Sequence, residues 1–130
     1  MRRRLKVLSE RGDSFAFETA FSGRAYADFL ARLRRIGYTV QIVYLWLPDV
    51  ELSIQRVAER VRNGGHDIPQ TTIRRRFSRG IRNFLLLYKP LADVWRVYDA
   101  SGDQPTVVAF GDKIDGETIV DDALWQIITE

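Results

Sequence analysis

Arginine is the residue type in this sequence whose number and spacing could do chemistry. The stretch RNGGHDIPQTTIRRRFSR leads into a segment in which Arg75, Arg79 and Arg82 recur at positions i, i+4 and i+7. Residues at this spacing share one face of an α-helix, and Arg74 and Arg76 flank that face. A planar guanidinium donates two parallel hydrogen bonds to a phosphate, so the pattern favours an anionic, phosphate-bearing partner. The alternative is a solvated helix face with some arginines paired to the acidic end of the chain.

Three more arginines end the preceding predicted helix: Arg56, Arg60 and Arg62. The helix dipole favours cations at a C-terminus, which is their simplest explanation. Gly64-Gly65 then interrupts the helical pattern and predicts a flexible joint. A joint between two arginine-bearing helices resembles a lid, which closes over a ligand, excludes water and brings charge onto a developing transition state. We refer to residues 56–82 as the arginine lid.

A carboxylate and a hydroxyl form the second group that could do chemistry. Glu18 and Thr19 follow the short predicted strand SFAF. Ligands of open α/β sheets bind at the carboxyl ends of strands, where this pair could contact a sugar or alcohol substrate or hold a magnesium-bound water. The alternative is that both are ordinary turn residues. Asp99 similarly ends the segment VWRVYDA, where an aspartate before a turn is commonplace.

An alternation of helices and strands must position these residues. The nearly continuous apolar segment YTVQIVYLWL predicts a buried parallel strand, and a helix begins after it at Pro48 and Asp49. VWRVYDA and TVVAF predict a hairpin across the turn SGDQP, followed by a loop over GDKIDGE. Other helices are predicted over residues 2–11, 22–36, 70–88 and 118–129. The order predicts a layered α/β fold with a mainly parallel sheet.

The composition bounds the classes of protein to consider. The chain has 130 residues, 45% of them hydrophobic and 28% charged, which suits a single globular domain. No cysteine and one histidine, His66, argue against disulfides and transition-metal sites, so we predict no metal ligands. His66 is interpreted as a loop hydrogen-bonding residue. No apolar run reaches membrane-spanning length and no secretory signal is evident, so we predict a cytoplasmic protein without a membrane partner.

The net charge of +3 conceals a strong asymmetry along the chain. Residues 56–89 contain nine Lys or Arg and two Asp or Glu, whereas residues 90–130 contain two and nine. This distribution favours one focused positive site over a uniformly cationic surface. The phosphate-cradling pattern G-x-x-x-x-G-K-[ST] is absent from the sequence, as is G-x-G-x-x-G.

Several stretches together resemble a known family. SFAFETAFSGRAYADFLARLRRIGY, VYLWLPDVELSIQRVAERVRNGGHDIP and IRRRFSRGIRNF…YKPLADVWRVYDASG are similar, in order and spacing, to the bacterial branch of the zeta-toxin-like P-loop kinases. The resemblance runs from about Leu8 to Gly111. It implies a three-layer P-loop α/β domain and phosphoryl transfer from ATP, with Mg²⁺, to a small molecule. For the toxins proper, that substrate is UDP-N-acetylglucosamine.

The resemblance also assigns roles to residues of this sequence. Glu18 and Thr19 match the substrate-side motif of the family. Arg56 and Arg62 are the counterparts of the lid arginines that stabilise the transferring phosphate. The remaining phosphate-binding candidates are Arg60, Arg75, Arg76 and Arg79.

The resemblance implies an incomplete kinase, because the P-loop strand, its lysine and its helix have no counterpart in the 130 residues. We therefore expect an incomplete sheet and a truncated kinase lineage that is inactive alone. A first alternative is that the chain forms one half of a complex and completes its sheet by homodimerisation or with a separate P-loop-bearing fragment. A second is a nucleic-acid-binding module built on the basic helix, against which the acidic end of the chain argues. For the kinase lineage the expected ligand is a nucleotide or a phosphorylated small molecule.

Overall fold

Four β-strands form one sheet in the part of the chain that the computed structural model describes, residues 24–130. The strands, side by side in chain order, are Gln41–Trp46 (β1), Val94–Asp99 (β2), Thr106–Asp112 (β3) and Gly116–Ile119 (β4). β1 and β2 run parallel, whereas β2–β3 and β3–β4 are antiparallel pairs. The described sheet is therefore mixed.

Helices precede and connect these strands. They are Ala25–Arg35 (α1), Val50–Arg62 (α2), Gln70–Asn83 (α3) and Asp122–Thr129 (α4). α3 continues into a π-helical turn, Phe84–Tyr88, and a 3₁₀ turn, Lys89–Leu91. Asp49 caps α2 by accepting a hydrogen bond from the Leu52 N–H at 2.9 Å, and Asp121 caps α4 through the Leu124 N–H at 3.0 Å. Each cap satisfies a backbone donor that the first helical turn leaves unpaired.

The α/β class predicted from the sequence is confirmed, but the described sheet is not mainly parallel. Only β1 and β2 are joined by a helical crossover long enough to make the second strand parallel to the first. The turn SGDQP returns the chain at once, so β3 pairs antiparallel with β2 as the hairpin prediction required. The three-layer arrangement and the absence of the P-loop strand and helix remain predictions.

The C-terminal segment differs from the prediction of a helix over residues 118–129. Residues 116–119 form β4, and α4 begins only at Asp122. The Asp112 carboxylate accepts hydrogen bonds from the Ile114 and Asp115 N–H groups, and Gly116 adopts a φ of 78° that favours glycine. This turn closes a second hairpin, which the loop-like composition of GDKIDGE did not reveal.

β1 is buried on one face only, which corrects the prediction of a fully buried strand. Ile42 and Trp46 are buried, whereas Val43 and Leu45 between them are 49% and 56% exposed. α1, α4 and the π-helical turn contribute buried side chains to the same cluster as Ile42 and Trp46, among them Leu33, Ile128 and Phe84. No element of residues 24–130 covers the opposite face well enough to bury Val43 and Leu45.

The core centres on Phe84 and Tyr88 of the π-helical turn, both 0% exposed. The Phe84 ring stacks on Tyr44 of β1 at 4.8 Å between centroids and meets Trp95 of β2 edge-on at 6.5 Å. Trp95 stacks in turn on Trp125 of α4 at 5.7 Å. One aromatic row thus joins the end of α3, two strands and the C-terminal helix.

An aspartate joins α1 to the start of the parallel strand pair. The Asp93 carboxylate accepts hydrogen bonds from the Val40 N–H at 2.8 Å and from the Arg34 side chain at 3.1 Å. The Val40 hydrogen bond lowers the pKa of Asp93 below its ordinary value of 3.8, with a further contribution from Arg34 and against the opposing effect of burial. Ionised Asp93 therefore stabilises the fold.

We expect the stability contribution of Asp93 to disappear in acid. Because the folded-state pKa is depressed, the contribution is complete above the unfolded pKa of about 3.9 and is lost as the pH falls through the folded value. Between pH 5 and pH 3 the wild type should lose more free energy of unfolding than Asp93→Asn, as measured by urea denaturation. Asp103→Asn, which removes a carboxylate from an exposed turn, serves as control. Equal losses in the wild type and Asp93→Asn would contradict this account.

Phe84→Ala should lower the free energy of unfolding by about 3–5 kcal/mol, because it removes a fully buried ring from the centre of the core. Leu86→Ala is the matched control, since Leu86 lies in the same turn but is 64% exposed. It should change the same quantity by less than about 0.5 kcal/mol. Urea denaturation of both variants measures the difference, and similar values for the two would show that Phe84 is not the anchor.

Candidate functional site

The carboxyl ends of β1 and β2 meet at one edge of the sheet. Trp46 lies opposite Asp99 in the parallel register, and the Ala100 N–H donates to the Trp46 carbonyl at 2.8 Å. The Asp99 carboxylate accepts a hydrogen bond from the Ser101 N–H at 3.0 Å and shapes the turn that leaves the edge. Open α/β sheets bind ligands at such an edge, so charged side chains that reach it are candidates for ligand contacts.

Arg56 reaches the strand ends from α2. Its Nη2 donates to the Ala100 carbonyl at 2.7 Å, and the side chain is half-buried. The position follows from the local chain path: β1 ends at Trp46, Asp49 caps the next helix, and Arg56 lies two turns further on. A guanidinium has five N–H donors, so Arg56 retains donors for an anion beside the strand ends.

The other two arginines of α2, Arg60 and Arg62, lie on different faces of the helix. Arg60 lies one turn beyond Arg56 on the same helix face, whereas Arg62 lies about 120° around the helix from Arg56. Both are exposed. The structure therefore brings Arg56 and Arg60 together and places Arg62, predicted as the partner of Arg56, on a different face.

Gly64 and Gly65 form a hydrogen-bonded helix end. Gly64 has a φ of 94°, and its N–H donates to the Val61 carbonyl at 3.0 Å. The Gly65 N–H donates to the Arg60 carbonyl at 2.7 Å, and a Cβ on Gly65 would approach that oxygen to 2.9 Å. This pair of bonds is a Schellman motif, which requires glycine for its geometry. The glycines predicted as a flexible joint thus have a definite structural role at the end of α2.

The arginine lid is attached to the sheet at few points. α2 packs mainly against α3, and Val57 and Ile73 are buried outside the main core cluster. Arg74 of α3 pairs with Glu51 at the start of α2 at 2.8 Å, on the exposed surface. The lid is therefore a helical hairpin with a small apolar contact of its own, joined to the rest of the domain by the Arg56 hydrogen bond, by Ile81 packed against the core and by the chain at Phe84.

The remaining phosphate-binding candidates lie on α3. Arg75, Arg76 and Arg79 are exposed and form no ion pair within residues 24–130. The alternative that they pair with the acidic end of the chain is not observed in that range. Two carboxylates from the acidic end of the chain form ion pairs with other residues: Asp93 with Arg34, and Glu117 with Lys89.

The sequence also predicted roles for Glu18, Thr19 and His66. Glu18 and Thr19 lie outside the described residues, so their role stays a prediction. His66 is exposed in the connection between α2 and α3. Residues 24–130 contain no group of three or more His, Cys, Asp or Glu side chains that could hold a metal ion, and no helix there is long and apolar enough to cross a membrane.

One contributor to this edge was missed by the sequence reasoning. The Ala100 carbonyl accepts the Arg56 hydrogen bond, 44 positions away along the chain. A backbone oxygen carries no signal in the residue types. The rule that ligands gather at the ends of parallel strands could have indicated only that the region after VWRVYD is of interest.

Comparison with known proteins gives three findings. A family model described as Zeta toxin matches residues 1–104, which is most of the chain. A protein of Haemophilus influenzae described as uncharacterized is 27% identical over 63 residues, which is 48% of this chain and 45% of that protein. The shared part thus spans about half the length of the curated relative. No solved structure matches significantly.

Arg56→Gln should lower the free energy of unfolding by about 1 kcal/mol, because the buried Ala100 carbonyl loses a charged donor. Amide hydrogen exchange should show a larger loss of protection in α2 than in α1, since this bond joins α2 to the strand ends. Arg60→Gln removes the same charge one turn away, from a side chain with no described partner, and should change stability by less than about 0.5 kcal/mol. Equal effects of the two substitutions would show that the Arg56 contact contributes nothing specific.

Proposed function

Because this chain belongs to the zeta toxin family, we propose that it derives from a kinase that transfers the terminal phosphoryl group of ATP to a hydroxyl of a small, nucleotide-sugar-type molecule. The observation that carries the proposal is the Arg56 guanidinium at the carboxyl ends of the parallel strands β1 and β2. In that position a cation lies at the edge where α/β sheets bind phosphate-bearing ligands. The family match and the geometry of this edge support the same chemistry.

In phosphoryl transfer the protein mainly positions the reactants and stabilises negative charge on the transferring group. An arginine supplied to that group accelerates such reactions by roughly 10³–10⁵-fold in the best-studied cases. Arg56 and Arg60, one helical turn apart, are the pair we assign to this role. The assignment of Arg62, Arg75, Arg76 and Arg79 to further phosphate contacts belongs to the same proposal, as does that of Glu18 and Thr19 to the substrate.

The residues do not fit every ligand of the family equally well. The exposed guanidiniums fit a phosphate group, but residues 24–130 offer no carboxylate cluster for Mg²⁺ and the 130-residue sequence contains no phosphate-cradling loop. No step through Mg²⁺ is therefore assigned to these residues. We propose that the chain binds phosphate-bearing substrate through the arginine lid and does not turn over ATP by itself.

A second proposal is that the chain acts together with a complement, either a second copy or a P-loop-bearing fragment. The supporting observation is that β1 ends the described sheet and exposes Val43 and Leu45. An apolar strand at the end of a sheet is commonly covered or paired in native proteins.

The binding proposal is tested by isothermal titration of the full chain with UDP-N-acetylglucosamine and, separately, with ATP. At least one ligand should bind, and Arg60→Ala should weaken its binding about tenfold, which is the loss expected for one charge-assisted hydrogen bond. Arg35→Ala, an exposed arginine at the end of α1, is the matched control and should leave the affinity unchanged. Failure to bind either ligand would refute the phosphate site, and ATP-dependent phosphorylation by the chain alone would refute the proposed inactivity.

A further inference from the structure

We propose that Arg75, Arg79 and Arg82, here called the α3 arginine face, bind the phosphate backbone of a nucleic acid. This inference goes beyond the proposed function, in which the ligand is a small molecule at the strand ends, because it assigns Arg75 and Arg79 a second phosphate-bearing ligand, a nucleic acid. It depends on three observations in α3: the direction of the face, the absence of pairing within the described residues, and the absence of an apolar patch.

The direction of the face follows from the buried side of the helix. Ile73 and Gly80 are buried, and at 3.6 residues per turn they lie on the side of α3 opposite Arg75, Arg79 and Arg82. All three arginines are exposed. The same packing that fixes α3 on the protein therefore directs this face to solvent.

The charges of this face have no partner within residues 24–130. α3 contains no Asp or Glu in its 14 residues, and the ion pair described for this helix uses Arg74, outside the face. Like charges at i, i+4 and i+7 destabilise an isolated helix by a few tenths of a kcal/mol per pair. An external polyanion would offset that repulsion, whereas solubility alone requires no segregation of charge.

The spacing suits a repeated phosphate. The Cα atoms of Arg75 and Arg82 are about 10.5 Å apart along the helix axis, with Arg79 between them. Duplex DNA carries one negative charge per about 1.7 Å of axis, so each arginine can reach a different phosphate. The planar guanidinium matches phosphate oxygens with two hydrogen bonds.

The surface chemistry favours a nucleic acid over an acidic protein. Within Gln70–Asn83 no large hydrophobic side chain is exposed, and the single exposed one nearby is Leu86 in the π-helical turn that follows. Protein interfaces have a core enriched in aromatic residues and depleted of charge, whereas nucleic-acid interfaces are polar and strongly positive. Three exposed arginines without an exposed aromatic or large aliphatic side chain between them therefore resemble a nucleic-acid interface more than a protein interface.

Fluorescence anisotropy of the full chain with a labelled 20-base-pair DNA duplex, and with a 20-nucleotide single-stranded RNA, tests the inference. At 50 mM salt we expect binding of at least one probe with a Kd of roughly 10⁻⁴–10⁻⁶ M. For the duplex, three phosphate contacts predict a slope of about −2.7 for log K against log salt, and each single Arg→Gln substitution on the face should reduce its magnitude by about 0.9. The comparison of the two probes identifies the preferred nucleic acid.

The triple variant Arg75→Gln, Arg79→Gln, Arg82→Gln should lose binding while retaining its circular dichroism spectrum. A charge-matched control removes three arginines at α1, Arg24→Gln, Arg32→Gln and Arg35→Gln, and should retain most of the affinity. Equal loss in both triple variants would overturn the inference, because binding would then reflect net charge. No binding of either probe at 50 mM salt, or equal binding of a poly-glutamate peptide, would also overturn it.

Discussion

The burial of Phe84 between the sheet and the end of α3 is the contact on which the rest of the structure depends. Its ring is fully buried against Tyr44 of β1 and Trp95 of β2, and Trp95 extends the contact to Trp125 of α4. Lys89 follows the same turn and places its ammonium 4.7 Å from the Trp95 ring centre. Aromatic burial of this kind is worth several kcal/mol, so it determines where α3 leaves the core.

The arginine lid is the consequence of that anchor. α3 is anchored at its C-terminal end, whereas α2 packs mainly on α3 and contacts the strand ends through Arg56. Because Val57 and Ile73 are buried outside the main core cluster, the part of the hairpin distant from Ile81 is expected to have a lower local stability than the core. The same property suits the role we propose for the lid, in which ligand binding supplies the free energy of closure around a phosphate group.

Residue patterns predicted the elements that carry strong local signals. The helix predicted to begin at Pro48 and Asp49 is capped by Asp49, and the hairpin between VWRVYD and TVVAF follows from its short polar turn. Patterns failed where a long-range partner decides the outcome. The segment GETI forms β4 because β3 offers it a free strand edge, and β1 is exposed on one face because α1, α4 and the π-helical turn bury its other face.

The sequence by itself determined the α/β class, the family and the set of arginines, because residue types and their spacing are local properties. Only the tertiary structure decided how those arginines differ. Arg56 donates to a carbonyl 44 positions away, Arg74 pairs with Glu51, and Arg75, Arg79 and Arg82 face solvent opposite the buried side of α3. The physical reason is that a guanidinium's role depends on the acceptor that folding brings within about 3 Å of it, and spacing along the chain does not encode that distance.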